Sequence, residues 1–166
     1  MAGVTVDADG LIALDRNDRR VIVLLARAAE TNSRVTIPAP VLAQAIRHPE
    51  RQPRLSRLVR QPTSDVVPLN RVDAVKVGRL LAASGTADVA DAHVVVCARR
   101  AAQRVITSDP DDLARLDPSL GLIIVWVVRR AVAATRQSTP KGFESCAVRC
   151  TALGRRHRSS VCWQWS

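Results

Sequence analysis

No stretch of this sequence approaches the roughly 20 apolar residues that a membrane-spanning helix needs. The longest candidate, Leu120 to Val128, has the length of a buried strand. A strand pattern begins almost at the first residue, so no secretory leader is expected and a cytoplasmic location follows by default. Histidine is scarce, with three in the chain, and a pair of histidines working as acid and base is poorly supplied. His48 precedes a proline, and His157 lies near the C-terminus. His93, two residues past Asp91, leaves a helix on a different side and reads as a core or capping residue. Cysteine is also scarce, with four. Cys97 falls in an apolar helical segment. Cys146, Cys150, Cys162 and His157 formally offer four zinc ligands, but their spacing matches no usual finger or knuckle. A disulfide framework has less support still. Internal repeats are absent. Lysine is nearly so, and the cations are almost all Arg, whose planar fork suits bidentate phosphate contacts.

What is present is ordinary globular composition, 24% charged and 47% hydrophobic over 166 residues, enough for one domain with a real core. The net charge of +10 is unevenly placed. Residues 1–128 hold 17 of the 25 Lys and Arg and 14 of the 15 acids, a net of +3, so residues 129–166 carry +7. Strand patterns alternate with helix patterns through residue 128. Val4 to Asp7 is a short strand ending in a carboxylate, and Gly10 opens a helix. A second helix covers about Arg19 to Thr31, with Val21, Leu24, Leu25 and Ala28 at helical spacing. Arg34 to Ile37 is the second strand, closed by Pro38, and Pro40 opens a helix with Val41, Leu42, Ala45 and Ile46 that stops near His48. Arg51 to Arg60 reads as one basic helix, with Arg51, Arg54, Arg57 and Arg60 at steps of three and Leu55, Leu58 and Val59 opposite. Such a row is either a solvated face or a ridge facing phosphates. Asp65 to Leu69 is the third strand, with Pro68 favouring an edge. Helices over Val72–Ala83 and Asp88–Ala102, a strand at Val105–Thr107, a short helix over Pro110–Leu116 and a last strand at Gly121–Val127 complete the series. Alternation of this kind predicts an α/β fold with a four- or five-stranded, mostly parallel sheet covered on both faces. From Arg129 the periodicity dissolves, and residues 129–166 read as a basic tail containing Cys and Trp, disordered or loosely packed. Trp163 and Trp165 give that tail a means of stacking on RNA.

Acids gather at element ends. Asp7 closes the first strand, and Asp88 and Asp91, three apart, open a helix on one face. Asp109 and Asp112 follow the fourth strand. Helix capping alone accounts for these positions, with Asp88 and Asp109 as N-caps and Asp91 and Asp112 at the third helical residue. The alternative is a site. In a parallel sheet the strand carboxyl ends share one rim, where ligands gather, and carboxylates clustered there repel unless a cation neutralises them. Oxygen donors of this kind suit Mg²⁺ or Mn²⁺, and such a centre supports phosphodiester hydrolysis by lowering the pKa of a bound water.

Four segments in order carry a resemblance: Val6-Asp7; Pro40 through Gln44 to Arg47; Gly85 through Asp88 and Asp91 to His93; and Val105 through Asp109 to Leu113. Together they resemble the PIN domain, and in particular the VapC-type toxins of bacterial toxin–antitoxin pairs, over about residues 3–127. The resemblance implies a three-layer α/β/α domain over residues 1–128 and a Mg²⁺- or Mn²⁺-dependent endoribonuclease. It also implies a homodimer held inactive by a cognate antitoxin. It assigns Asp7, Asp91 and Asp109 to the metal, with Asp88 and Asp112 as accessory acids; Thr107 or Ser108, beside Asp109, is expected to hydrogen-bond a carboxylate. RNA is expected to be oriented by Arg47, Arg51 and Arg54. The family's second acid, normally Glu, is Gln44 here. A neutral amide offers an oxygen but cannot balance a second cation, which favours one metal over two. The rival reading is a catalytically weak or inactive module that binds RNA or a protein. The family has no counterpart for the residues after Val128. A third reading, a zinc-bearing tail, rests on those residues.

Overall fold

A computed structural model of the protein describes residues 3–125. The expectations for the basic tail, its zinc ligands and its tryptophans lie outside the described residues.

The first strand, β1 (Val4–Val6), stops at Asp7, whose carboxylate accepts from the Ala8 N–H and so caps α1 (Ala8–Asp15). Gly10 lies where that helix crosses the sheet. A Cβ there would come within 2.9 Å of the Ile106 carbonyl and of Val6 Cγ1, so only glycine permits the close approach. Helix α2 (Arg19–Glu30) starts at Asp18, which accepts from the N–H groups of Arg20 and Val21, and buries Val21, Leu25 and Ala28. Strand β2 (Val35–Pro38) is buried throughout and leads directly into α3 (Ala39–Ala45), with Pro40 in its first turn.

The basic segment departs from the sequence expectation of one helix. Pro49–Arg51 forms a single 3₁₀ turn, and α4 is Pro53–Val59. Pro53 lacks the N–H that a continuous helix needs and takes the first helical position instead. Gln52 between them is buried. Its Oε1 accepts from the N–H groups of Arg47 and His48, and its Nε2 donates to Asp15 Oδ2 and the Ala45 carbonyl. One amide thus staples the turn to α1 and α3.

Strand β3 (Ser64–Val67) ends before Pro68, and α5 (Arg71–Ser84) is capped by Asn70 and closed by Gly85 at φ 68°. Helix α6 (Val89–Ala101) buries seven consecutive positions from Ala92 to Ala98 together with Ala90. Strand β4 (Arg104–Thr107), helix α7 (Pro110–Leu116) and strand β5 (Leu122–Ile124) follow.

The five strands pair in parallel in the order β3-β2-β1-β4-β5. The edge position of β3 agrees with the proline after it. From β1 the chain steps one way along the sheet to β2 and β3, then back across to β4 and β5. Right-handed crossovers therefore put α1 to α4 on one face and α5 to α7 on the other. The packing agrees: α1 lies against α2, α3 and α4, while α5, α6 and α7 pack on one another. No single helix among the described residues is long and apolar enough to cross a membrane.

Candidate active site

The reversal of strand order falls between β1 and β4, where the following helices leave to opposite faces. A crevice opens outside the strand carboxyl ends at such a point, and Asp7 and Thr107 stand on its two sides. The Asp7 N–H donates to the Ile106 carbonyl at 3.1 Å, and Thr107 Oγ1 donates to Asp7 Oδ2 at 3.0 Å. The same Thr107 oxygen accepts from the Asp109 N–H at 3.1 Å. Next to them, Ser108 Oγ donates to Asp9 Oδ2 at 2.6 Å. Helix α6 runs into β4 at its C-terminal end, so its start, with Asp88 and Asp91, faces the same rim. Asp88 Oδ1 accepts from the N–H groups of Ala90 and Asp91 at 2.8 and 3.1 Å.

These placements separate capping from site-building. Capping accounts for Asp88. Asp109 stands at the head of α7 but makes no side-chain cap hydrogen bond, and Asp91 lies inside the first turn of α6, near enough to four other acids to feel their charge. Asp7 is 6% exposed. Burial, more than anything else, pushes its carboxyl up to about 6; Asp9 and Asp88 add repulsion, while the Ala8 N–H and the Thr107 hydroxyl pull the other way. Asp91 is pushed up to about 7, first by burial and then by repulsion from Asp7, Asp88, Asp112 and Asp9. Five carboxylates from the starts of three helices, α1, α6 and α7, therefore act on one another at the crevice. Shifts of this kind, with burial and like charge combined at a sheet crevice, mark functional carboxylates more often than structural ones.

Asp7, Asp88, Asp91 and Asp112 are brought together. Asp109 sits exposed at the rim, and it is Asp112 rather than Asp109 that weighs on Asp91. Asp9 is a member that sequence reading passed over; its signal was an acid two residues beyond the carboxylate that closes β1. Gln44 is exposed on α3. Arg47 is exposed too, but its guanidinium donates to the carbonyls of Ala43 and Ile46 and closes the end of α3. Arg51 and Arg54 are exposed and, with Arg57 and Arg60, have no carboxylate partner among the described residues. Arg51 lies in the 3₁₀ turn, outside the helical row expected for it.

Beside Asp91 a cavity of about 310 Å³ is walled by Thr86, Asp88, Asp91, Asp112, Arg115 and Leu116. His93 turns away from it into the core, as its helical position requires. It is fully buried, and its Nε2 lies 3.6 Å from Asp73 Oδ2, too far for a good hydrogen bond. Burial lowers its pKa, opposed by the Asp73 charge. Asp73 itself is held by Arg100 at 2.8 Å, so this buried group ties α5 to α6.

The donor set suits a hard divalent cation: oxygen ligands only, in a group whose members repel one another without one. The lone pairs of Asp7 Oδ1 and Oδ2, Asp88 Oδ1 and Asp9 Oδ2 are partly used by protein donors. Asp91 and Asp112 accept no protein N–H or O–H hydrogen bond among the described residues. As the side chains stand, no three Asp, Glu, His or Cys groups among the described residues converge into a preformed metal cage.

Comparison with known proteins matches this picture. In fold the chain is similar to VapBC2 from Rickettsia felis, crystallised bound to a DNA fragment from their promoter. The identity is 15% and the TM-score 0.54, over 74% of this chain and 98% of the other. It is also similar to FitAcB from Neisseria gonorrhoeae at 16% identity and a TM-score of 0.51, over 72% and 96%. No curated protein matches the sequence. The sequence model of the PIN domain matches residues 4–117, the span that runs from β1 through the crevice acids to the end of α7, and the chain therefore belongs to the PIN domain family.

Proposed function

We propose that the protein is a metal-dependent endoribonuclease and the toxin of a toxin–antitoxin pair. The observation that carries this reading is the pair Asp7 and Asp91, pushed up to about 6 and about 7 at one sheet rim, where the Asp7 charge acts on Asp91. Carboxylates held so close to neutral by burial and mutual repulsion gain most when a cation arrives. Asp7 and Asp91 would hold Mg²⁺ or Mn²⁺, joined by Asp109 or Asp112. When bound, the metal supplies a hydroxide-like water and charge stabilisation for phosphodiester hydrolysis.

The chain's own groups prepare that site. Thr107 fixes one Asp7 oxygen and the Ala8 N–H the other, which sets the direction of the carboxylate. Asp88 spends Oδ1 on the start of α6 and so fixes where Asp91 stands. Ser108 does the same for Asp9. Gln44 adds an amide and no charge, consistent with a single tightly held metal. Arg51 and Arg54 are free to meet RNA phosphates, and such contacts make affinity fall with salt.

The antitoxin partner and a homodimer follow from the resemblance to VapC-type toxins. The fold likeness to the VapBC2 and FitAcB structures supports the same partner class. Cytoplasmic location is part of this reading. The test is cleavage of a structured RNA with Mg²⁺ or with chelator. Metal-dependent cleavage that disappears in Asp7→Asn and Asp91→Asn supports the enzyme, whereas equal cleavage by the variants points to a contaminant. Gln44 favours the second reading, a PIN module that binds without cutting. That reading gains if pure protein binds RNA but leaves it intact with either Mg²⁺ or Mn²⁺.

A further inference from the structure

The crevice acids pose a problem for any RNA strand. A polyanion entering beside Asp88, Asp91 and Asp112 meets charge of its own sign, and a metal at Asp7 and Asp91 neutralises only part of it. Among the described residues, the wall of the 310 Å³ cavity contains one cation, Arg115. Its guanidinium lies 3.7 Å from Asp112 Oδ1, one helical turn back on α7, with the two side chains 70% and 57% exposed. An exposed pair at that distance is weak, so its cation is readily exchanged. The arginines of the neighbouring α6 and β4 are committed. Arg99 donates to Asp117 at 2.6 Å, Arg100 to Asp73 at 2.8 Å, and Arg104 to the Leu122 carbonyl at 3.1 Å.

The cavity has the size and lining chemistry of a place for one nucleotide. Its volume is at the lower end of the roughly 300–1,000 Å³ of small-molecule pockets. Leu116 and Ala87 give it an apolar wall, Thr86 brings a hydroxyl, and Arg115 offers a planar fork that matches a phosphate bidentately. We propose that Arg115 leaves Asp112 for the RNA phosphate next to the one being cut, and so seats the adjoining nucleotide in the cavity between α6 and α7. This rests on the nuclease reading above. Asp112, released from Arg115, would be free to join Asp91 in holding the cation, so substrate seating and completion of the acid group become one event.

The test uses the full chain with Mg²⁺, and compares wild type with Arg115→Ala and Arg115→Lys. The first measurement is steady-state RNA cleavage. Arg115→Ala is expected to raise KM about 10-fold with kcat within about twofold, and to reduce the salt slope by about 0.7, the value for one single-strand phosphate. Arg115→Lys recovers part of the loss. The second measurement is binding of a short single-stranded oligodeoxynucleotide, which lacks the 2′-hydroxyl, by fluorescence anisotropy, and the same weakening is expected there. Unchanged KM and unchanged oligonucleotide binding in Arg115→Ala overturn the proposal. So does a fall in kcat alone, or recovery of KM by Asp112→Asn in the Arg115→Ala background, because Arg115 then acts only by neutralising that acid. If wild type cuts no RNA, the nuclease reading fails while the binding measurement still decides the pocket: dependence on Arg115 supports it, and independence overturns it.

Discussion

Replacing Asp91 by Asn should stabilise the metal-free protein, and by an amount that grows with pH. Asp91 is pushed up to about 7 by burial first and by four neighbouring acids second. Its ordinary value is 3.8. A carboxyl whose folded pKa lies above its unfolded one binds its proton more tightly when folded. Stability therefore falls as pH rises from the unfolded value to the folded one, and levels off above it. Between pH 5 and pH 8 only the part from 5 to about 7 contributes; at about 1.4 kcal/mol per unit, reduced because solvent screens this half-buried carboxylate, that is about 1–2 kcal/mol. Asn carries no titrating proton, so the advantage of Asp91→Asn over wild type should widen by that amount across the interval. Any fixed cost of placing an amide there cancels in the comparison. The choice of a difference also removes His93. Its lowered pKa has the opposite effect, adding stability as pH rises toward its unfolded value, equally in both proteins. The assay is urea unfolding of both proteins in chelator at pH 5, 6, 7 and 8. A gap that stays constant, or that closes as pH rises, would refute the electrostatic account of the crevice.

Other outcomes follow from the same geometry. Binding of Mg²⁺ or Mn²⁺ at pH 6 should displace about one proton or more, because Asp7 and Asp91 are both partly protonated there; calorimetry in two buffers of different ionisation enthalpy measures it, and no buffer dependence contradicts it. Thr107→Val removes the hydroxyl that donates to Asp7. It should cost about 1–2 kcal/mol, raise the Asp7 pKa further, and move the acid limb of the cleavage profile to higher pH. Gln52→Ala strips the acceptor from the Arg47 and His48 N–H groups. A loss of about 2 kcal/mol or more is expected, with faster proteolysis within residues 46–52 as its signature. Gly10→Ala brings a Cβ to 2.9 Å from the Ile106 carbonyl and should destabilise by about 1–3 kcal/mol through the shift it forces, read from the denaturation midpoint.

Most of the fold was legible because each strand ends in something local. Asp7 stops β1, Pro38 stops β2, and Gly85 in the left-handed region stops α5; each is a residue whose chemistry acts within a turn of itself. The start of α7 at Pro110 was read to the residue for the same reason. The basic segment was misread because an arginine row at steps of three satisfies helical periodicity whether or not Pro53 permits a single helix. The buried Gln52 that holds the interruption makes its bonds to residues as far off as Asp15. The acids at the crevice were legible as strand and helix ends, yet their grouping depends on the order β2-β1-β4, which no local signal records. Asp9 was missed because it sits inside the first turn of α1, where an acid is an ordinary response to the helix dipole. Only its position beside β4, next to Ser108, gives it another meaning. Arg115 was missed likewise, as one exposed cation among many. Arg47 was expected to face RNA because of its charge and its place in sequence. Its guanidinium also satisfies two carbonyls at the end of α3, a need that every helix end has and that its charge did not announce.

The central claim is that Asp7 and Asp91 share one divalent ion. Crystals of the full chain soaked in Mn²⁺ test it most directly, by anomalous difference density at the β1/β4 crevice. The account predicts one peak about 2.0–2.3 Å from an oxygen of each carboxylate, absent from crystals of Asp91→Asn. A peak that touches only one of the two, or Mn²⁺ bound elsewhere with the crevice empty, would contradict it.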